Sequence, residues 1–110
     1  MSALLNLLER TSFTFSEVIE AIDTEFAFTP TAFKNGETHN NADSNNGSCK
    51  VFSAAKQLQL SKEDTLKLFA EHYQSVLNTP EGTDHLNIRN FIAHGWDGIA
   101  FEGNALSKRA

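Results

Sequence analysis

A chain of 110 residues with 40% hydrophobic and 21% charged residues is long enough for one modest core and too apolar for disorder. Its net charge of −5 and nine scattered basic residues disfavour nucleic-acid binding and an electrostatic membrane anchor, because both draw on clustered Lys and Arg. A single cysteine excludes an internal disulfide and argues against a zinc site. A reducing compartment is the simpler expectation.

In chain order, Leu4, Leu5, Leu7 and Leu8 predict a short helix with Ser2 as its cap. This start lacks the basic segment and apolar core of a signal peptide, and no apolar run approaches the roughly 20 residues that span a bilayer. Thr14 and Glu17 stand at capping-box spacing, ahead of a helical stripe of Phe15, Val18, Ile19, Ile22 and Phe26. From Phe26 to Phe33 the period shifts toward extended backbone. Pro30 cannot donate to a ladder, so a strand here lies at an edge or stops early. Asn35-Gly36 predicts a turn.

The polar stretch from Glu37 to Gly47 predicts one long Asn-rich loop. Its composition also suits a disordered linker, but core-like segments on both sides favour order. Ser48 is the expected cap of a helix carrying Val51, Phe52, Ala55 and Leu58. Ser61 caps the next, whose stripe is Leu66, Phe69, Tyr73 and Val76 or Leu77. Thr79-Pro80-Glu81-Gly82 makes a turn, and Asp84 is the expected cap of a last helix that Gly95 stops. Residues 98–101 read as a strand paired with the Phe28 region, and 104–110 as a frayed tail. The fold class is mainly α (α+β). It is a single domain over residues 1–110, with about five helices and a small two-stranded β element.

Two polar concentrations carry the chemistry. Asn46-Gly47-Ser48-Cys49-Lys50 places backbone donors, a hydroxyl and an ammonium at a helix start, the parts of an anion site, although a capped turn uses the same residues. The P-loop spacing is absent. Asp84 to Phe91 places His85 and Arg89 on one helix face, with Asn87 and Asn90 close by. These groups either tie the Asn-rich loop to the helix or frame a ligand pocket with it.

The candidate surface is therefore Asn35, Asn45, Asn46, Ser48, Lys50, His85, Asn87, Arg89 and Asn90. It would serve a monomeric, non-enzymatic domain that binds a protein partner or a small anion. The alternative is a cysteine-dependent enzyme acting on acyl or amide groups, with Cys49 as nucleophile and His85 as base. His72 reads as a helix-surface or boundary residue, His94 as a complement to a helix C-terminus, and Trp96 as a core or boundary aromatic. No metal-ligand spacing links His39, Asp43, Asp84 and His85, and no cofactor is expected.

In combination these segments resemble the HopJ type III effector family of small bacterial proteins. The resemblance rests on residues 28–36 (FTPTAFKNG), 45–52 (NNGSCKVF), Leu60-Ser61, Thr65-Leu66, Tyr73, Val76-Leu77, Pro80-Glu81-Gly82, Asp84-His85, 87–91 (NIRNF) and Gly95-Trp96. It covers most of the chain after residue 14. Asp43-Ser44 departs from an expected Ala-Gly. Residues 67–70 (KLFA) stand where a second cysteine and a glycine often occur, which argues against chemistry by a cysteine pair. The resemblance implies residence in the cytoplasm of the producing bacterium and export by a type III secretion system. It supplies no catalytic residue, substrate or cofactor.

Overall fold

The computed structural model describes residues 3–108, so the expected Ser2 cap lies outside the described residues. The first elements are Ala3–Leu8 (α1), Phe15–Glu25 (α2), Phe26–Phe28 (β1), Phe33–Asn35 (β2), Thr38–Asn40 (β3) and Asn46–Gln57 (α3). Then come Lys62–Lys67 (α4), Glu71–Asn78 (α5), Leu86–His94 (α6), a 3-10 turn over Gly95–Gly98, Ile99–Phe101 (β4) and Leu106–Lys108 (β5). The radius of gyration is 13.1 Å, matching the ~13 Å of one compact domain of this length.

The capping box forms as read: Thr14 N donates to Glu17 Oε1 at 3.1 Å, and Glu17 N to Thr14 Oγ1 at 3.3 Å. α1 packs on α2 and buries Leu4 and Leu7. β1 stops before Pro30, as a residue without an N–H requires. Its partner is not the Ile99 region. β1 pairs antiparallel with β5, Phe28 opposite Leu106. The expected frayed tail is thus a strand through Lys108, with Leu106 only 1% exposed. Gln57 Nε2 donates to the Leu106 carbonyl at 2.9 Å, and β1 supplies the ladder that an isolated tail lacks. Arg109 and Ala110 lie outside the described residues.

The second sheet has the order β3-β2-β4 and is antiparallel throughout, with Asn35 opposite both Thr38 and Ile99. The two-residue hairpin turn Gly36-Glu37 has a positive φ only at Gly36 (62°), the pattern of a II′ turn. A Cβ on Gly36 would stand 2.6 Å from His94 Cδ2, so the turn needs glycine for space as well as for conformation. The expected long loop is interrupted by regular structure: Thr38–Asn40 is a strand, α3 begins at Asn46, and residues 41–45 connect them.

Helix starts differ from the expected caps in two places. α3 begins before Ser48, with Asn45 at its flank in the left-handed region (φ 54°), and α6 is preceded by His85 (φ 51°) rather than capped by Asp84. Neither has a side-chain cap bond. Ser61 does cap α4, its Oγ accepting from Asp64 N at 3.1 Å, and Gly95 ends α6 with φ 63°.

The helix read from Ser61 through Val76 is broken. Regular helix ends at Lys67, and a break follows over residues 68–70, in which Leu68 and Phe69 are buried as Leu66 is. Its cost falls on Ala70, held at φ 51°, ψ −122°, a region that side chains with a Cβ avoid. Ala70→Gly is expected to raise stability by about 1 kcal/mol, the relief of strain exceeding the extra chain entropy of glycine. A urea midpoint unchanged or lowered in the variant would contradict this account.

Phe52 of α3 is the centre of the core. Its ring lies 4.9 Å from Phe91, 5.3 Å from Phe69, 6.1 Å from Phe33 and 6.4 Å from Trp96 by centroids. Trp96 takes the boundary position expected of it, its indole N–H donating to the Leu60 carbonyl at 3.1 Å.

Candidate functional site

The β2–β3 hairpin turns Phe33, Asn35 and Asn40 inward and Lys34 and His39 outward. Two of those three inward positions carry amides. α6 meets them with Asn87 and Asn90, three residues apart and therefore on one face. Asn35 Nδ2 donates to the Asn87 carbonyl at 2.8 Å and to Asn87 Oδ1 at 3.0 Å. Asn40 Nδ2 donates to Asn87 Oδ1 at 3.1 Å, and Asn87 Nδ2 returns a bond to Asn40 Oδ1 at 3.0 Å. Asn90 Nδ2 reaches the Asn35 carbonyl and Thr38 Oγ1, while Asn45 Nδ2 reaches Asn40 Oδ1 at 2.7 Å. The amides tie the hairpin and the start of α3 to α6. Such a buried network fixes geometry because each member is costly to leave unpaired.

Beside this knot lies a cleft of about 500 Å³. Asn40, Asn45, Ser48, His72, His85 and Asn87 form its polar lining, and Phe15, Phe69, Leu86 and Ile88 its apolar wall. Among the described residues no carboxylate lines it, in a chain with 14 acidic residues. Gly47 and Ser48 sit in the first turn of α3, His72 in that of α5, and Leu86 and Asn87 in that of α6. None of these three helices has a side-chain cap bond. First-turn N–H groups lack intrahelical partners, and the dipole favours negative charge there.

The two imidazoles meet at the cleft, His72 and His85 lying 5.1 Å apart by ring centroids. The edge contact of His72 with Phe15 is at 4.7 Å. His85 Nε2 is 3.9 Å from Asp84 Oδ2. The Arg89 guanidinium holds the Asp84 carboxyl below its usual range, with a smaller contribution from His85.

The remaining candidates go elsewhere. Arg89 is spent on the 79–84 turn, donating to the carbonyls of Thr79 and Asp84 and to Asp84 Oδ1 at 2.7, 2.6 and 2.8 Å. Lys50 Nζ pairs with Asp23 Oδ1 at 2.8 Å and lies over the Phe28 ring. Asn46 bonds Asp43, and His39 pairs with Glu102. No group of three or more metal-ligating side chains occurs among the described residues.

Cys49 is fully buried, with Sγ 3.5 Å from the Thr31 carbonyl. Burial pushes its thiol up from the ordinary range, opposite to what a nucleophile needs. It does not line the cleft that His85 lines. The thiol-enzyme reading is not favoured. Alkylation by iodoacetamide at pH 8 is expected to run at least about tenfold slower than for a free thiol, rising to the free-thiol rate only in denaturant. Rapid reaction in the native state would restore that reading.

His72, Phe15 and Phe69 reach the cleft without having been read as part of a site. The break before α5 places His72 there, and a left-handed alanine leaves no mark in the residue order. Asn40 had a signal: counted at period two along the hairpin, it falls on the same face as Asn35 and Phe33.

A small α+β domain with an amide-tied cleft is the class that fold and site define. The chain belongs to the HopJ type III effector protein family, whose match spans residues 1–106. It is also similar to the solved crystal structure of VPA0580, a protein of unknown function. The TM-score is 0.92 and the identity 44%, covering 96% of this chain and 90% of that one. No curated protein matches. Among the described residues no helix is long and apolar enough to cross a membrane.

Proposed function

We propose that this domain is a binding module rather than an enzyme, and that its cleft holds a small organic anion. The observation that carries the reading is the cleft itself, of about 500 Å³, within the ~300–1,000 Å³ of small-molecule sites. Its lining combines uncapped helix starts and imidazoles with an apolar wall, and it contains no carboxylate. A carboxylate, sulfonate or phosphate would take the backbone donors of α3 and α6, while an apolar body would rest on Phe15, Phe69 and Leu86. The family's description as type III effectors supports export of the module from the cytoplasm of a producing bacterium by such a system.

Titration of ¹⁵N-labelled protein with benzenesulfonate, against neutral benzenesulfonamide, tests the cleft. Saturable amide shifts at Asn45, Gly47, Ser48, His85 and Asn87, weaker with the neutral compound, are the expected result. Shifts confined to α1 and α2, or equal for both compounds, would sink the proposal. A translocation reporter fused to the first residues tests export separately.

A further inference from the structure

The cleft carries an arrangement that its lining chemistry alone does not require: two titratable rings in contact with each other. We propose that an anion entering the cleft brings a proton with it, taken up by the imidazole pair His72 and His85. The inference rests on the anion-binding reading above and adds its regulation, namely capture strengthened by mild acidity.

The pair is fixed from several sides. His72 is held by the edge contact with Phe15 of α2 and has Glu71 beside it in sequence, whose carboxylate accepts from Phe15 N at 2.7 Å. His85 has the Asp84 carboxylate at 3.9 Å, itself engaged by Arg89 at 2.8 Å. From the start of α3 and the residue before it the cleft receives Asn45, Gly47 and Ser48, none of them charged, and Lys50 is turned away to Asp23. Each ring therefore has one carboxylate neighbour. Within the cleft the rings face each other at 5.1 Å with no counter-charge in the lining. Two cationic rings at that separation repel each other, and an anion in the cleft offsets that repulsion because each positive charge attracts the ligand.

Linkage makes the effect reciprocal: if the anion favours the second proton, the proton favours the anion by the same factor. Histidine is the side chain that changes charge between about pH 5 and 8. Stability of the complex is therefore fullest below that interval and falls as pH rises through it.

The experiment is calorimetric titration with benzenesulfonate, whose own charge is constant from pH 5.5 to 8, in buffers of different ionisation enthalpy. Affinity should be about tenfold higher at pH 5.5 than at pH 8, with net proton uptake near neutral pH. Both signatures should shrink in His72→Gln and in His85→Gln and persist in His39→Gln, whose ring pairs with Glu102 outside the cleft. Amide spectra confirm that each variant is folded. Saturable binding without proton uptake would overturn the coupling and leave the cleft reading standing. Proton uptake that persists in the double variant would also overturn it, assigning the proton to other groups. Absence of saturable binding at both pH values would overturn both readings.

Discussion

Asn87→Ala is expected to destabilise the domain by about 3 kcal/mol, from the loss of three buried side-chain bonds. The bonds are those of Asn87 Oδ1 to Asn35 and Asn40, and of Asn87 Nδ2 to Asn40. The remaining amides keep only part of their partnership. Asn35 Nδ2 still has the Asn87 carbonyl and Asn40 Oδ1 still has Asn45, but Asn40 Nδ2 retains only a long bond of 3.4 Å to the Phe33 carbonyl. Asn41→Ala, in the exposed connection next to β3, should change stability by less than about 0.5 kcal/mol. Equal urea midpoints for the two variants would show that the knot is not a structural tie. The cleft should loosen as well, because Asn40 lines it and bonds Asn87, while Asn45 lines it and bonds Asn40.

Phe52→Ala should cost more, about 3–5 kcal/mol, the usual result of removing a fully buried ring. That is a large share of the roughly 5–15 kcal/mol that holds a domain together. The ring touches Phe33 from β2, Phe69 from the α4–α5 break, Phe91 from α6 and Trp96 from the 3-10 turn. A cavity there therefore separates elements distant in sequence. The near-ultraviolet signal of Trp96 should weaken together with the loss of stability. Phe101→Ala is the comparison, a half-buried ring on β4, and it should cost clearly less. Similar losses for both would mean that the aromatic core does not centre on Phe52.

What the residue order made legible was local. The Thr14–Glu17 box, the Ser61 cap and the Gly95 stop each depend on residues within one turn of each other, and all three formed. The stripes of α2 and α3 were equally plain. The strand at Leu106 was not, because its partner lies some 80 residues away and three residues are too few to show a period. Nor was the break at Ala70, or the starts of α3 and α6, since each turns on a non-glycine residue adopting positive φ. The hydrogen-bonded tie between the loop region and the last helix was one of two readings open from composition, and it formed. Which amides were buried depended on hairpin register, and which imidazoles met depended on the break.

Among the described residues, three of the five non-glycine positions with positive φ are Asn45, Ala70 and His85, each immediately before a helix that opens on the cleft. At Ala70 the side chain lies outside the cleft lining, and glycine there only relieves the backbone. At Asn45 and His85 the same relief would strip a group from the lining. Under the proposed anion capture, the architecture sets backbone relief against recognition at two of these three helix entrances. Selection for thermal tolerance alone would be expected to drift toward glycine at all three, while selection that preserves ligand capture would accept it only at the entrance of α5.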